Sequence, residues 1–231
     1  LIADSLASAA AEAVRQAGHT VVVEPKASGE ALIKALKENQ PQVLVVRSTK
    51  VPAEAMDAAS SLELIVRAGA GVDNIDMKAA SEHGIFVSNC PGKNAAAVAE
   101  LAFGLLLALD RRIPDNATLF REGKWNKGGF SKASGVKGRT LGLIGMGNIG
   151  QEMAQRAKAF GMKVVAWSRS LTDEAAKEMG IERAASPEAV AQKADAVSVH
   201  VAGGADTKHL IGPRFFEAMK PDTLFINTAR S

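Results

Sequence analysis

The chain has 231 residues, 47% of them hydrophobic and 23% charged, with a net charge of +3, the profile of an ordinary globular protein able to bury one or two cores. Its Lys and Arg residues are scattered and its aromatics are scarce, at 4% with no tyrosine, which argues against a nucleic-acid partner. Cys90 is the only cysteine, so an internal disulfide is excluded and a reducing compartment, the cytoplasm, is expected.

The chain opens without Met on "LIAD", a strand-like start that suggests a trimmed chain. Nothing there reads as a signal peptide. Short β-branched runs follow at "TVVV" (20–23), "QVLVV" (42–46), "LELIV" (62–66) and "GIFV" (84–87). Between them lie helix-like stretches such as "SGEALIKALKE" (28–38) and "PAEAMDAAS" (52–60). A long helix is expected from Asn94 to about Arg112, with Asn94 able to cap its first turn. Its apolar run, Val98 to Leu109, carries Glu100 and is too short to cross a bilayer; it reads as a buried helix, and no membrane partner is expected. A polar, glycine-rich segment, "REGKWNKGGFSKASGVKG" (121–138), comes next.

The strand rhythm then restarts with "TLGLIG", "KVVAWS", "AVSVH" and "TLFIN", separated by helices near Asn148–Phe160, Thr172–Met179, Pro187–Lys193 and Pro213–Met219. Alternating strands and helices imply parallel sheets covered on both faces. The fold expected is α/β, with two doubly wound domains joined by the long helix. A flavodoxin-like substrate domain would span 1–93 and a Rossmann dinucleotide-binding domain 94–231.

Gly145, Gly147 and Gly150 form G-x-G-x-x-G between a strand and a helix. The first glycine permits a tight turn, the second admits a pyrophosphate, and the third lets helix and strand pack closely. The helix-start N–H groups near Asn148 and Ile149 would face the anion. A plain tight turn is the alternative, but the strand–loop–helix–strand context favours a dinucleotide. The next strand ends in Ser168 and Arg169, where NAD-binding relatives of this motif carry Asp or Glu. No carboxylate there repels a 2′-phosphate and a guanidinium can bind one, so NADP(H) is expected over NAD(H). A solvated loop arginine is the plain alternative. No metal site is expected.

The stretches "VVRSTKV" (45–51), "LIVRAGAGVDNIDMKAASEHGIFVSNCPGKNAAAVAELAFGLLLALDRRIP" (64–114), "GRTLGLIGMGNIG" (138–150) and "MKPDTLFINTAR" (219–230) resemble the D-2-hydroxyacid dehydrogenases. The likeness covers essentially the whole chain, and "RAGAGVDNID" with "N-x-P" is specific to that family. It is greatest to the branch acting on 3-phosphoglycerate, which would imply a place in serine biosynthesis. The resemblance implies a substrate domain interrupted by a dinucleotide-binding domain, a homodimer or higher homo-oligomer, and reversible hydride transfer at C2 of a 2-hydroxy or 2-keto acid.

By the same resemblance Arg230 is the catalytic arginine. Backbone N–H groups of Gly69 and Ala70 would hold the substrate carboxylate, Arg47 and Arg67 would face a substrate phosphate, and Asn94 would touch substrate. For each of the two arginines a salt-bridged surface residue is the alternative. Ala70, Asn148, Ile149, Ser168, Val201, Thr228, Ala229 and Arg230 occupy dinucleotide-contacting positions. The loop after His200 is "VAGGADT", without the proline frequent in relatives.

The family's acid/base His and its Glu partner lie beyond the "NTAR" motif, and the sequence ends at Ser231. His19, His83, His200 and His209 read as turn or cap residues, so the chain reads as truncated. Two other functions compete with the 3-phosphoglycerate reading. One is a glyoxylate or hydroxypyruvate reductase; the other is a dinucleotide-sensing binding module without catalysis.

Overall fold

The computed structural model describes residues 1–229. The chain divides into two compact units, one of Leu1–Asn94 and one from Ala95 onward.

In the first unit three parallel strands, β1 (Val43–Val46), β2 (Leu64–Arg67) and β3 (Phe86–Ser88), lie side by side in that order. Two further extended segments continue the sheet beyond β1. Ile2 bridges in parallel to Val45 on one side and to Val23 on the other. Counted along the chain, the five segments run 2-1-3-4-5, the flavodoxin-like order. The strand expected at 20–23 is reduced to the bridge at Val23, which has no outer neighbour and is exposed.

Helices α1 (Ser8–Gln16), α2 (Glu30–Asn39), α3 (Ala53–Asp57) and α4 (Met77–Glu82) complete the unit. In α2 the buried residues are Leu32, Ala35 and Leu36, the three- and four-residue spacing of a one-sided helix. They meet Leu44, Val46, Met56 and Ile65 in one core. Helix α1 buries only Ala11, which is why its apolar pattern is too thin to read in the sequence.

The second unit begins with α5 (Ala95–Arg111), followed by α6 (Ile113–Arg121) and α7 (Lys127–Phe130). Its sheet contains β4 (Thr140–Ile144), β5 (Lys163–Trp167), β6 (Glu182–Arg183), β7 (Ala196–Val199) and β8 (Leu224–Asn227). All pairs are parallel, in the order β6-β5-β4-β7-β8. Renumbered within the unit this is 3-2-1-4-5, the Rossmann order. Helices α8 (Asn148–Ala159), α9 (Asp173–Glu178), α10 (Pro187–Lys193) and α11 (Pro213–Ala218) connect the strands.

Successive strand residues face opposite sides of a sheet, so the unit has two cores. Leu141, Leu143, Val164 and Ala166 pack with α5 and α8, whereas Ile144, Val165, Val197 and Val199 pack with α10 and Phe215. Helix α5 is not buried all round, as its composition suggested. Ala99, Ala102, Phe103 and Leu106 face the core, while Leu101, Leu105 and Leu109 are exposed on a four-residue repeat. A further helix, not expected from the sequence, follows Arg112; Pro114 occupies the first turn of α6, where a missing N–H costs nothing. No helix among the described residues is long and apolar enough to cross a membrane.

Candidate functional site

The loop from β4 to α8 carries the three glycines, and each is there for a different reason. Gly145 has φ +101°, and a Cβ on it would lie 2.6 Å from the carbonyl oxygen of His200. A Cβ on Gly150 would fall on the carbonyl oxygen of Gly145. Gly147, the N-cap of α8, faces open space, with nothing within 4 Å of where a Cβ would be. No side chain caps this helix and its first turn has no acidic residue. Its leading N–H groups, those of Asn148 and Ile149 among them, are therefore left to an outside acceptor, and the helix dipole favours an anion. Asn148 is exposed, while Ile149 packs partly against the core. The arrangement fits a pyrophosphate on physical grounds, independent of the motif.

Gly145 follows β4 and His200 follows β7, two neighbouring strands between which the strand order reverses. That switch point is where open parallel sheets bind ligands. Other residues anticipated for the dinucleotide end strands on the same edge: Ser168 after β5, Val201 just past β7, and Thr228 and Ala229 after β8. The Ala229 N–H donates to Asn227 Oδ1 at 2.9 Å. Thr228 Oγ1 is buried and has no hydrogen-bond partner among the described residues, a hydroxyl left for a ligand. The proline-free loop after Val201 folds into a short 3₁₀ turn, Ala205–Thr207. Arg230 lies outside the described residues.

The free guanidinium expected at Arg169 is engaged. Its Nη1 donates to Asp206 Oδ2 at 3.0 Å, in a pair exposed at both ends. Sequence reading missed Asp206 because it comes from a loop 37 residues away. Exposed pairs contribute little, about 0–1 kcal/mol, so Arg169 can exchange this partner for another anion.

In the first unit Val46 and Arg67 are register partners at the carboxyl ends of β1 and β2. Arg47 and Arg67 are thereby brought to one edge of the sheet. Arg47 is exposed, and its backbone N–H donates to Asp4 Oδ2. Arg67 is not a surface residue: it is 9% exposed, its Nε has no hydrogen-bond partner, and it makes no ion pair among the described residues. Its guanidinium lies across Gly69, in the space a Cβ would fill. Gly69 and Ala70 are themselves fixed through their carbonyls, by Cys90 N–H at 2.9 Å and Asn89 Nδ2 at 2.7 Å. The Gly69 N–H, expected to meet the substrate carboxylate, instead donates back to Arg67 O at 2.7 Å. Asn94 is exposed and immediately precedes α5.

Two histidines are strongly shaped by their surroundings. His200 shares a 2.9 Å hydrogen bond between Nε2 and Ser198 Oγ, and its Nδ1 is buried without a partner among the described residues. Burial lowers its pKa to about 4. His83 closes α4 and donates to Ala79 O at 2.8 Å and Asp57 Oδ1 at 2.7 Å. The bond to the Ala79 carbonyl, then that to Asp57, raises its pKa. Both have structural partners within their own unit.

Residues 103–231 match the family model for the D-isomer specific 2-hydroxyacid dehydrogenase, NAD binding domain. Over its full length the chain is 38% identical to D-3-phosphoglycerate dehydrogenase of Methanocaldococcus jannaschii, of which it covers 43%. Over 81% of its length it is 44% identical to hydroxypyruvate reductase of Thermotoga maritima, of which it covers 60%. The chain thus spans roughly half the length of these relatives. Among solved structures, an acyclic imino acid reductase in complex with NADPH and D-Arg superposes with a TM-score of 0.83 at 30% identity, over 98% of this chain and 71% of that one.

The glycine loop makes a paired prediction. Gly147→Val enters open space, so the melting temperature should hold while NADH and NADPH binding, read by calorimetry, disappears. Gly150→Ala collides with backbone and should cost about 1–3 kcal/mol of stability. The opposite pattern would refute the assignment of the two glycines.

His200 makes a pH prediction. A folded pKa near 4 against roughly 6.5 unfolded means that the unfolded chain binds more protons between those values. Stability should therefore be full above about pH 6.5 and fall as pH drops toward 4. An NMR titration should give His200 a midpoint near 4, and His200→Asn should flatten this part of the stability profile. A midpoint near 6.5 would contradict the burial argument.

Proposed function

The chain belongs to the D-isomer specific 2-hydroxyacid dehydrogenase family, and on that premise we propose that it serves reversible oxidation of a D-2-hydroxy acid carrying a second anionic group, 3-phosphoglycerate being the best candidate. The observation that carries this reading is Arg67, a buried guanidinium without a carboxylate partner among the described residues. Leaving a charge in that condition costs several kcal/mol by general experience, a cost that an incoming anion offsets. Arg47 on the neighbouring strand end supplies a second cation, and two guanidiniums suit one phosphate dianion.

When bound, the nicotinamide ring exchanges the hydride with C2 of the acid. The chain's own residues hold and orient. The backbone N–H of Ala70 would hold the carboxylate common to all these acids, since that of Gly69 is engaged by Arg67 O. Arg230, by its place in the "INTAR" motif, would bind that carboxylate and polarise the C2 oxygen. The glycine loop would take the pyrophosphate, and Thr228 and Ala229 would face the nicotinamide side. This reading would assign the protein to serine biosynthesis in the cytoplasm; the single Cys90 supports a reducing compartment. The likeness to the Thermotoga hydroxypyruvate reductase supports a second reading, reduction of hydroxypyruvate or glyoxylate.

For the cofactor we favour NADP(H) over NAD(H). Ser168 in place of a carboxylate supports this, as does the NADPH in the related reductase structure; Asp206 works against it. For assembly we propose a homodimer, supported by the exposed Leu101, Leu105 and Leu109 on α5. Sedimentation equilibrium giving the mass of one chain would refute it.

Calorimetry of the chain with 3-phosphoglycerate and D-glycerate tests the substrate class. The phosphorylated acid should bind more tightly. Arg67→Ala should weaken it tenfold to hundredfold, the size of one charge-assisted contact, and leave glycerate nearly unchanged. Equal losses for both acids would reduce Arg67 to scaffold and favour the reductase reading.

The cofactor preference is tested in the same way. NADPH should bind more tightly than NADH. Arg169→Ala should reduce NADPH affinity alone, and Asp206→Ala should raise it by releasing the guanidinium. Tighter NADH binding by the unmodified chain would overturn the preference.

A further inference from the structure

We infer that Asp4 is a positioning residue: its carboxylate clamps the loop that carries Arg47, and through Arg47 it sets how tightly this sheet edge holds an anionic group. The inference rests on the reading of Arg47 and Arg67 as receptors for a second anion.

Asp4 ends the first extended segment, whose Ile2 lies beside β1. Asp4 Oδ2 accepts three consecutive backbone N–H groups, from Arg47 at 2.6 Å, Ser48 at 3.1 Å and Thr49 at 3.0 Å. Asp4 Oδ1 accepts Ser48 Oγ at 3.3 Å. These are the residues immediately after β1. Successive N–H groups converging on one point form an anion-binding concavity, and here the chain fills it with its own carboxylate. A ligand arriving at this edge therefore finds those amides taken. What is left to meet it is the Arg47 side chain, which makes no ion pair among the described residues.

The clamp is charged at neutral pH. Burial raises the Asp4 carboxyl, but the backbone bonds from Arg47, Thr49 and Ser48 outweigh it and hold the group below the ordinary carboxylate value. The loop is also tied from the other side. Asn74 Nδ2 donates to Thr49 O at 2.7 Å, and the Val51 N–H donates to Asn74 O at 2.8 Å. Asn74 belongs to the loop that follows Arg67 and carries Gly69 and Ala70. The loops that follow β1 and β2 are thus fixed to each other, with Asp4 as the charged end of the chain of contacts. Without that charge the three amides would turn toward water and the Arg47 loop would lose its single arrangement.

The test is a double-mutant cycle read by calorimetry on the chain, with 3-phosphoglycerate and D-glycerate as ligands. NADH affinity serves as a control for folding, since its loop lies in the other unit. Asp4→Asn keeps the shape and removes the charge. It should weaken 3-phosphoglycerate about tenfold, as for loss of one well-placed charged contact, and leave glycerate unaffected. In an Arg47→Ala background the same substitution should add almost nothing, because the residue it acts through is gone. Should Asp4→Asn fail to fold, Ser48→Ala, which removes only the Oδ1 contact, should produce a smaller loss for the phosphorylated acid alone. An undiminished Asp4→Asn effect without Arg47, or equal losses for both acids, would overturn the inference. If Arg47→Ala weakens 3-phosphoglycerate and Asp4→Asn does not, only the role of Asp4 falls. If Arg47→Ala is itself silent, the part of Arg47 in the second-anion reading falls, and the role of Asp4 with it.

Discussion

Parallel strands all end at the same edge of their sheet, and the peptide groups just beyond the last ladder hydrogen bond have no neighbour to pair with. That constraint governs both units. In the second, it is met by a turn so tight that a Cβ on Gly145 would run into the carbonyl of His200 and one on Gly150 into that of Gly145. Helix α8 consequently starts directly over the sheet edge with its first N–H groups uncapped. In the first, the same problem is met by Asp4, which supplies a carboxylate to the three amides after β1. One edge is left open to an anion and the other is closed by an internal one.

The open positions are few and specific. Among the described residues, Thr228 Oγ1 and His200 Nδ1 are buried without partners in the second unit; Arg67 Nε and Asn74 Oδ1 are the corresponding atoms in the first. Arg67 is the last residue of β2, and the other three lie in segments that follow strand ends. Native chains rarely leave buried polar groups unsatisfied, and the exceptions tend to mark ligand sites. Arg67 is the most demanding of them, because it is charged. Its position also explains Gly69 more fully than a tight turn does: any side chain there would displace the guanidinium.

Much of this architecture was legible in the sequence, and what was not has a common cause. The apolar runs that became β1, β2, β4, β5, β7 and β8 are short and β-branched, and the glycine spacing fixes the loop between β4 and α8. Local chemistry carries that information. By contrast β6 has only Glu182 and Arg183, too short and polar for any pattern, and α1 buries a single alanine. The pairing of Arg169 with Asp206, the burial of Arg67 and the clamp at Asp4 depend on contacts between residues far apart in the chain or on packing. Asp4 and Arg47 are separated by 43 positions, and nothing near either one signals the other.

The central claim is that the Arg67 guanidinium is held in the protein to receive an anion. Its side-chain Nε–H gives an individual resonance in a ¹H–¹⁵N NMR spectrum, assignable by comparison with Arg67→Lys. Titration with 3-phosphoglycerate should move that resonance downfield and slow its exchange with water, while D-glycerate at equal saturation should leave it largely in place. A resonance that responds identically to both acids, or to neither, would contradict the account.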